Sequence, residues 1–321
     1  MTTEYDSMSV SVVIPAYRVR RHILGVIDRI PAFIRTIYVV DDACPESSGD
    51  FVNASCDDRR VVVLRNLVNL GVGGAVMTGY SRALVDGADI VVKIDGDGQM
   101  DPSLIHSFVT PIMAGRADYT KGNRFFDMRA LHRMPLMRLI GNAGLSFLSK
   151  LSTGYWQIFD PTNGYTAIHR TALVHLPLDR VSKRYFFETD MLFRLNTLRA
   201  VVRDVPMDAI YGDEESNLKI GRILPEFLLR HSVIFSKRIF YNYFLRDFSI
   251  ASIELLLGIA CLTFGAIFGA REWAQSLSSG IPSTAGIVMI GALPIIIGLQ
   301  LVLAFISYDV SATPREPLIR T

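Results

Sequence analysis

The 321 residues carry 33 Lys+Arg against 31 Asp+Glu; 50% are hydrophobic and only 20% charged. Ordinary soluble domains hold roughly 25% charged residues, so part of this chain is built for a solvent other than water, and disorder, collagen and coiled coil are excluded. A formal charge of +2 spread along the chain gives no footprint for nucleic acid, and Cys44, Cys56 and Cys261 have neither zinc nor disulfide-framework spacing.

Met1 to Ser9 is polar and acidic, and the apolar run that follows, Val10 to Ile14, is too short for a signal peptide. That β-branched run, closed by Pro15, predicts a strand. Thr36 to Val40, ending in Asp41-Asp42, Val61 to Leu64, and Ile90 to Ile94, ending in Asp95, predict three more. Helical patterns lie between them at Arg20 to Arg29 and at Val72 to Asp86, the second opened by Gly71, Gly73 and Gly74. Such alternation implies a doubly wound, mostly parallel α/β sheet of Rossmann-like build, whose ligands gather at the carboxyl ends of the strands. Pro15-Ala16-Tyr17, Asp41-Asp42 and Asp95-Gly96-Asp97 all fall there. The glycines at 71–74 follow the third strand rather than the first, so they are a poor dinucleotide fingerprint and read as a tight helix start.

Asp95 and Asp97 flank a glycine just past a strand, and two carboxylates so close repel unless a cation lies between them. Hard oxygen ligands suit Mg²⁺ or Mn²⁺, which complete their shell with substrate phosphates. Gln99 and Asp101 continue the same turn.

Further on, Ile223 to Leu245 interleaves Phe227, Leu228, Ile234, Phe235, Phe240, Tyr243 and Phe244 with Arg230, Lys237 and Arg238, a pattern for helices lying in the headgroup plane. Phe248 to Ala270, uncharged except for Glu254, and Thr284 to Tyr308, without any charge, are each long enough to cross a bilayer as a helix. The short link Arg271 to Ser283 makes them an antiparallel hairpin. Lys237, Arg238 and Arg246 before the pair and Arg315 and Arg320 after it place both termini, and with them the soluble part, in the cytoplasm. Glu254 should face another helix or the interface, and self-association through the spans fits the same pattern. The expected organisation is a soluble domain over 1–221, juxtamembrane amphipathic helices over 222–247, a transmembrane hairpin over 248–308 and a tail over 309–321.

Val12-Val13-Ile14-Pro15-Ala16-Tyr17, Val39-Val40-Asp41-Asp42, Asn69-Leu70-Gly71-Val72-Gly73-Gly74-Ala75, Asp95-Gly96-Asp97-Gly98-Gln99, Lys121-Gly122-Asn123-Arg124 and Asp160-Pro161-Thr162-Asn163-Gly164-Tyr165 stand in this order. The series resembles the family 2 glycosyltransferases, and within them the polyprenyl-phosphate sugar synthases, the dolichyl-phosphate mannose synthase group, in the form that carries a C-terminal hairpin. The resemblance spans about residues 9 to 220. It implies a GT-A-type fold, with Pro15, Ala16 and Tyr17 lining the base pocket and Asp42 near the base or ribose. It further implies that Asp95 and Asp97 hold the nucleotide diphosphate through Mg²⁺ or Mn²⁺, with Gln99 as the third polar group of the metal loop, and that Arg124 contacts acceptor phosphate. Arg18 stands where Asn is usual, Asn123 where Ser or Thr is common, and Tyr165-Thr166 where many relatives have an aromatic and Arg.

The acceptor follows from reactivity. A sugar hydroxyl needs a general base, whereas a lipid phosphate is already ionised and needs cations to bring two anions together. Arg124, Arg129, Arg133 and Arg138, with Lys219 beyond Tyr211 to Ser216, supply them, some anchoring the domain on anionic lipid. Glu188-Thr189-Asp190 resembles the family's acceptor-side acidic motif; catalysis, positioning of acceptor or metal, and helix capping are all open to Glu188 and Asp190. The expected activity is inverting, metal-dependent transfer from a UDP- or GDP-linked sugar to polyprenyl phosphate at the cytoplasmic membrane face. A glycolipid hydroxyl as acceptor and a catalytically silent membrane scaffold are the alternatives. A processive polysaccharide synthase is disfavoured because Trp156 and Trp273 lack the Gln-x-x-Arg-Trp setting.

Overall fold

β-branched residues in adjacent positions favour extended chain, and alternate side chains then leave opposite faces of the sheet. In β1 (Val10–Ala16), Val12, Ile14 and Ala16 enter one buried cluster while Val13 enters the other, so both faces of this strand are core. The computed structural model describes residues 8–126, 136–207 and 220–320.

Chain order continues with α1 (Ile23–Asp28), β2 (Thr36–Asp41), α2 (Ser48–Ser55), β3 (Val61–Arg65), α3 (Val72–Val85), β4 (Ile90–Lys93), α4 (Ile105–Met113) and β5 (Tyr119–Asn123). Then come α5 (Leu136–Thr153), β6 (Thr166–His169), α6 (Arg170–Val174), α7 (Phe187–Thr197), β7 (Val202–Pro206), α8 (Ile220–Phe240), α9 (Ile250–Ser279) and α10 (Ala285–Ser311). The seven described strands form one sheet in the order β3-β2-β1-β4-β6-β5-β7. β1 runs parallel to β2 and β4, β2 to β3, and β5 to β7, while β6 is antiparallel to both β4 and β5. The sheet is therefore mixed, and the inserted β6 leaves β4 and β5 pointing the same way, so Asp95 and Arg124 leave the sheet at one edge.

The four predicted strands and two predicted helices form, with ends shifted by up to three residues. The glycines at 71–74 serve packing: Gly74 N donates to Lys183 O at 3.2 Å, and a Cβ on Gly73 would lie 2.8 Å from that of Phe187.

Two compact units divide the chain, Met1–Phe235 with Pro314–Thr321, and Ser236–Thr313. In the first, Asp118 at the foot of β5 is fully buried and accepts from Val201 N at 2.7 Å, Leu318 N at 3.0 Å and Ile319 N at 3.2 Å. The segment after α10 is thus stitched to the sheet through its backbone. Asp118→Ala removes three charge-assisted bonds and is expected to lower stability by about 3 kcal/mol. Thermal unfolding together with protease sensitivity of the tail checks this; an unchanged midpoint and a protected tail would contradict it.

In the second unit, α9 and α10 are long and apolar enough to cross a membrane, and only 22% and 11% of their most apolar stretches are buried, unlike core helices of a soluble protein. They approach closely at small residues: a Cβ on Gly265 would lie 2.7 Å from Gly291 O, and one on Gly298 2.8 Å from Gly258 O. Glu254 is only four residues into α9, near its N-terminal end. Arg238, 1% exposed, grips Asp309, 4% exposed, with Nη1–Oδ1 2.6 Å and Nη2–Oδ2 3.0 Å. Tyr243 OH donates to the same carboxylate at 2.5 Å, and its ring packs edge-on against Phe305.

Candidate functional site

The carboxyl edge of the sheet gathers the expected residues unevenly. At the end of β1, Asp42 N donates to Ala16 O at 3.2 Å, which sets the β2 end beside Pro15-Ala16-Tyr17. Tyr17 is 42% exposed, open to stacking, and the Arg18 guanidinium lies 5.5 Å from its ring. Arg18, in place of the usual Asn, has φ 58°, the left-handed region that Asn enters more readily. Both Asp42 oxygens are engaged inside the protein, by Asn66 Nδ2 at 2.7 Å, Leu70 N at 2.9 Å and Gly71 N at 2.7 Å. Asp42 thereby braces the loop over residues 66–71, while Asp41 accepts from Cys44 N and from Gly49 N in the first turn of α2.

Beyond β4, Gly98 at φ 78° lets the chain turn back so that Gln99 N donates to Asp97 Oδ1 at 2.9 Å. Asp95 and Asp97 therefore leave one turn together. Among the described residues no group of three or more His, Cys, Asp or Glu is placed to hold an ion. Two carboxylates with Gln99 beside them fit an ion that takes its remaining ligands from phosphate and water, as Mg²⁺ or Mn²⁺ does, and do not fit a closed structural site.

Facing this turn are two lysines that pattern reading passed over, together with Glu188, which it named. Lys93 Nζ is 2.7 Å from Asp95 Oδ1. Lys121, fully buried, donates to Asn163 O. Glu188, half-buried in the first turn of α7, is raised above the usual carboxylate range by burial, with Lys93 and Lys121 opposing the rise. Asp190, two positions further along the acidic motif, is 4% exposed and accepts from Ser182 N at 2.7 Å and Arg194 Nε at 3.3 Å. Of the two acidic residues, Glu188 is the one that feels the lysines; Asp190 holds the loop before α7.

Arg124 forms a fork with buried Asp160, Nε–Oδ2 2.7 Å and Nη2–Oδ1 3.0 Å, and its side chain is 34% exposed. The Asp160-Pro161-Thr162-Asn163 loop thus orients both Arg124 and Lys121. Arg138 falls in the first turn of α5, and Arg129, Arg133, Lys219 and the segment 211–216 lie outside the described residues.

Burial pushes Lys121 down to about 8 from 10.5, against the pull of Glu188 and Asp160. The folded protein holds this proton less tightly than the unfolded chain does, so this group makes stability rise with pH between about 8 and 10.5. Lys121→Met is expected to flatten that rise in urea unfolding across the window. A variant profile parallel to that of the native protein would mean the burial penalty is absent.

α5 is inside out. Ser146, Ser149, Ser152 and Thr153 are at most 3% exposed, whereas Ile140 and Phe147 are 58% and 60% exposed. Its inner face meets α8, where Ser152 Oγ lies 2.7 Å from Nδ1 of His231, a histidine pushed down to about 4 by burial and so neutral. His231 in turn packs edge-on against Phe186, just ahead of Glu188. Leu228, Leu229 and Val233 of α8 also point outward. The three-residue spacing of the serines was the available signal for α5.

A mixed sheet with a carboxylate pair on a turn at the strand ends defines a GT-A-like glycosyltransferase core. The pattern of the glycosyl transferase family 2 matches residues 11–176, and the chain belongs to that family. It is 29% identical over 227 residues to a UDP-N-acetylglucosamine–dolichyl-phosphate N-acetylglucosaminyltransferase of Methanococcus voltae, covering 65% of this chain and 90% of the relative. It is also 29% identical over 192 residues to an undecaprenyl-phosphate mannosyltransferase of Micrococcus luteus, covering 59% and 78%. A dolichol-phosphate mannosyltransferase of Pyrococcus furiosus is 26% identical over 230 residues, covering 70% and 62%. Among solved structures, glucosyl-3-phosphoglycerate synthase of Mycobacterium tuberculosis in complex with Mn²⁺, UDP and glucosyl-3-phosphoglycerate superposes with a TM-score of 0.54 at 19% identity, over 73% of this chain and 81% of that one. That likeness is one of fold.

Proposed function

We propose that the protein transfers a sugar from a nucleotide-sugar to polyprenyl phosphate at the cytoplasmic face of a membrane. The observation that carries this reading is that the unit holding the Asp95–Asp97 turn also presents apolar side chains outward from α5 and α8. A soluble acceptor needs no such surface; an acceptor whose chain stays in lipid does. The names of the relatives support the same acceptor class. The tail Pro314–Thr321 belongs to the same unit as the sheet, which fits a hairpin that leaves and re-enters on one side.

In this reading Tyr17 and its neighbours take the base, and Asp95 and Asp97, with Gln99 beside them, hold a divalent ion. Bound there, the ion supplies Lewis-acid charge for the departing diphosphate. Arg124, fixed by Asp160, presents a planar cation to the acceptor phosphate, which attacks the anomeric carbon from the side opposite the diphosphate and inverts it. No proton has to be removed from an ionised phosphate, so Glu188 serves to position the acceptor. A hydroxyl acceptor is the second reading, favoured by the raised proton affinity of Glu188, since that carboxylate would then act as base.

Incubating detergent-purified protein with polyprenyl phosphate, Mg²⁺ or Mn²⁺ and a panel of UDP- and GDP-sugars tests the choice. Mass spectrometry of the lipid fraction is expected to show a lipid-phosphate-sugar that disappears with EDTA. Nucleotide binding without that product, for every donor, would move the assignment to the hydroxyl acceptor.

A further inference from the structure

Lys93 ends a central strand and is 1% exposed, where an ammonium is costly without a partner. Its partner is Asp95, two residues on, with Nζ 2.7 Å from Oδ1. Gly164 makes room for the pair: a Cβ there would meet Lys93 Nζ and lie 2.7 Å from Asp95 Oδ2. One of the two carboxylates on the acidic turn is therefore already furnished with a cation from its own strand.

We propose that Lys93 is a built-in counter-cation that keeps divalent metal from binding at the Asp95–Asp97 turn until a nucleoside diphosphate arrives with it. The proposal rests on the nucleotide-sugar reading above. A dication that ligates Asp95 shares that carboxylate with the Lys93 ammonium, and like charges in a poorly solvated site repel strongly. A diphosphate contributes negative charge that reverses the balance, so metal and nucleotide bind with strong positive coupling, and by linkage each tightens the other equally. Lys93 acts through Asp95 and is in this sense a positioning residue, one that sets the order of assembly.

The test is Mn²⁺ binding to the full-length protein in detergent, followed by the EPR signal of free Mn²⁺, with and without UDP or GDP. The native protein is expected to bind Mn²⁺ alone weakly and to tighten at least about tenfold with nucleotide. Lys93→Met should bind Mn²⁺ alone about tenfold more tightly and lose most of the coupling, Lys93→Gln should do the same, and Lys93→Arg should behave as native. Thermal unfolding of each variant reports that it is folded. Unchanged affinity for Mn²⁺ alone in both neutral variants, with nucleotide-dependent binding present in the native protein, overturns the role of Lys93 and leaves the donor reading standing. Failure of the native protein to bind Mn²⁺ with either nucleotide overturns the donor reading and this proposal together.

Discussion

Asp97→Ala is expected to lower sugar transfer by about a thousandfold or more while leaving the fold intact. In the proposed reading, removing one of the two carboxylates that would hold a divalent ion forfeits several kcal/mol of stabilisation of the leaving diphosphate, at about tenfold in rate for each 1.4 kcal/mol. The fold should survive because Asp97 lies on a half-buried turn and its carboxylate accepts from Gln99 N, a bond local to that turn. Asp97→Asn separates shape from charge, since an amide oxygen can still accept from Gln99 N. The same loss in both variants, with unfolding midpoints near that of the native protein, supports a charged ligand. Full activity in Asp97→Asn would remove the metal reading, because the turn would then be needed only for its shape.

Asp309→Ala should be the most destabilising single change in the apolar unit. It leaves the buried Arg238 guanidinium without the carboxylate that both of its Nη atoms grip, and takes from Tyr243 its acceptor. Removing one partner of a buried pair costs about 3–5 kcal/mol, whereas replacing both by apolar groups of similar volume is often neutral. The double change Arg238→Met with Asp309→Leu is thus expected to recover most of what Asp309→Ala loses. Thermal unfolding in detergent measures both. A single variant as stable as the native protein would show that the guanidinium finds water or headgroup phosphate instead.

The strand cores and the acidic turn were legible because β-branched runs ending in Asp or Pro have few other readings. β6 was not, since Thr166-Ala167-Ile168-His169 is short and nothing local states its direction. The inward face of α5 escaped notice because an amphipathic pattern does not say which face meets water; Ile140 and Phe147 outward and Ser149 and Ser152 inward is the reverse of the usual assignment. Lys93 and Lys121 were hidden differently. A lysine in a short strand, at the end of β4 or in the middle of β5, reads as solvent-facing, and the residues brought alongside, Gly164 against Lys93 and Glu188 near both, make them interior. The tie between the tail and Asp118 leaves no trace in the tail's own composition, because the donors are main-chain amides that every non-proline residue carries.

That tie has a consequence for biosynthesis. Residues 318 and 319 leave the ribosome only after both apolar helices, yet they supply two of the three amides that Asp118 accepts within the catalytic unit. Some 200 residues separate Asp118 from them, so at about 5–20 residues per second roughly 10–40 s of translation pass between β5 and the residues that complete its footing. The sheet can collapse early, but its last hydrogen bonds wait for the two apolar helices to be made, so completion of the sheet's footing is timed by their synthesis.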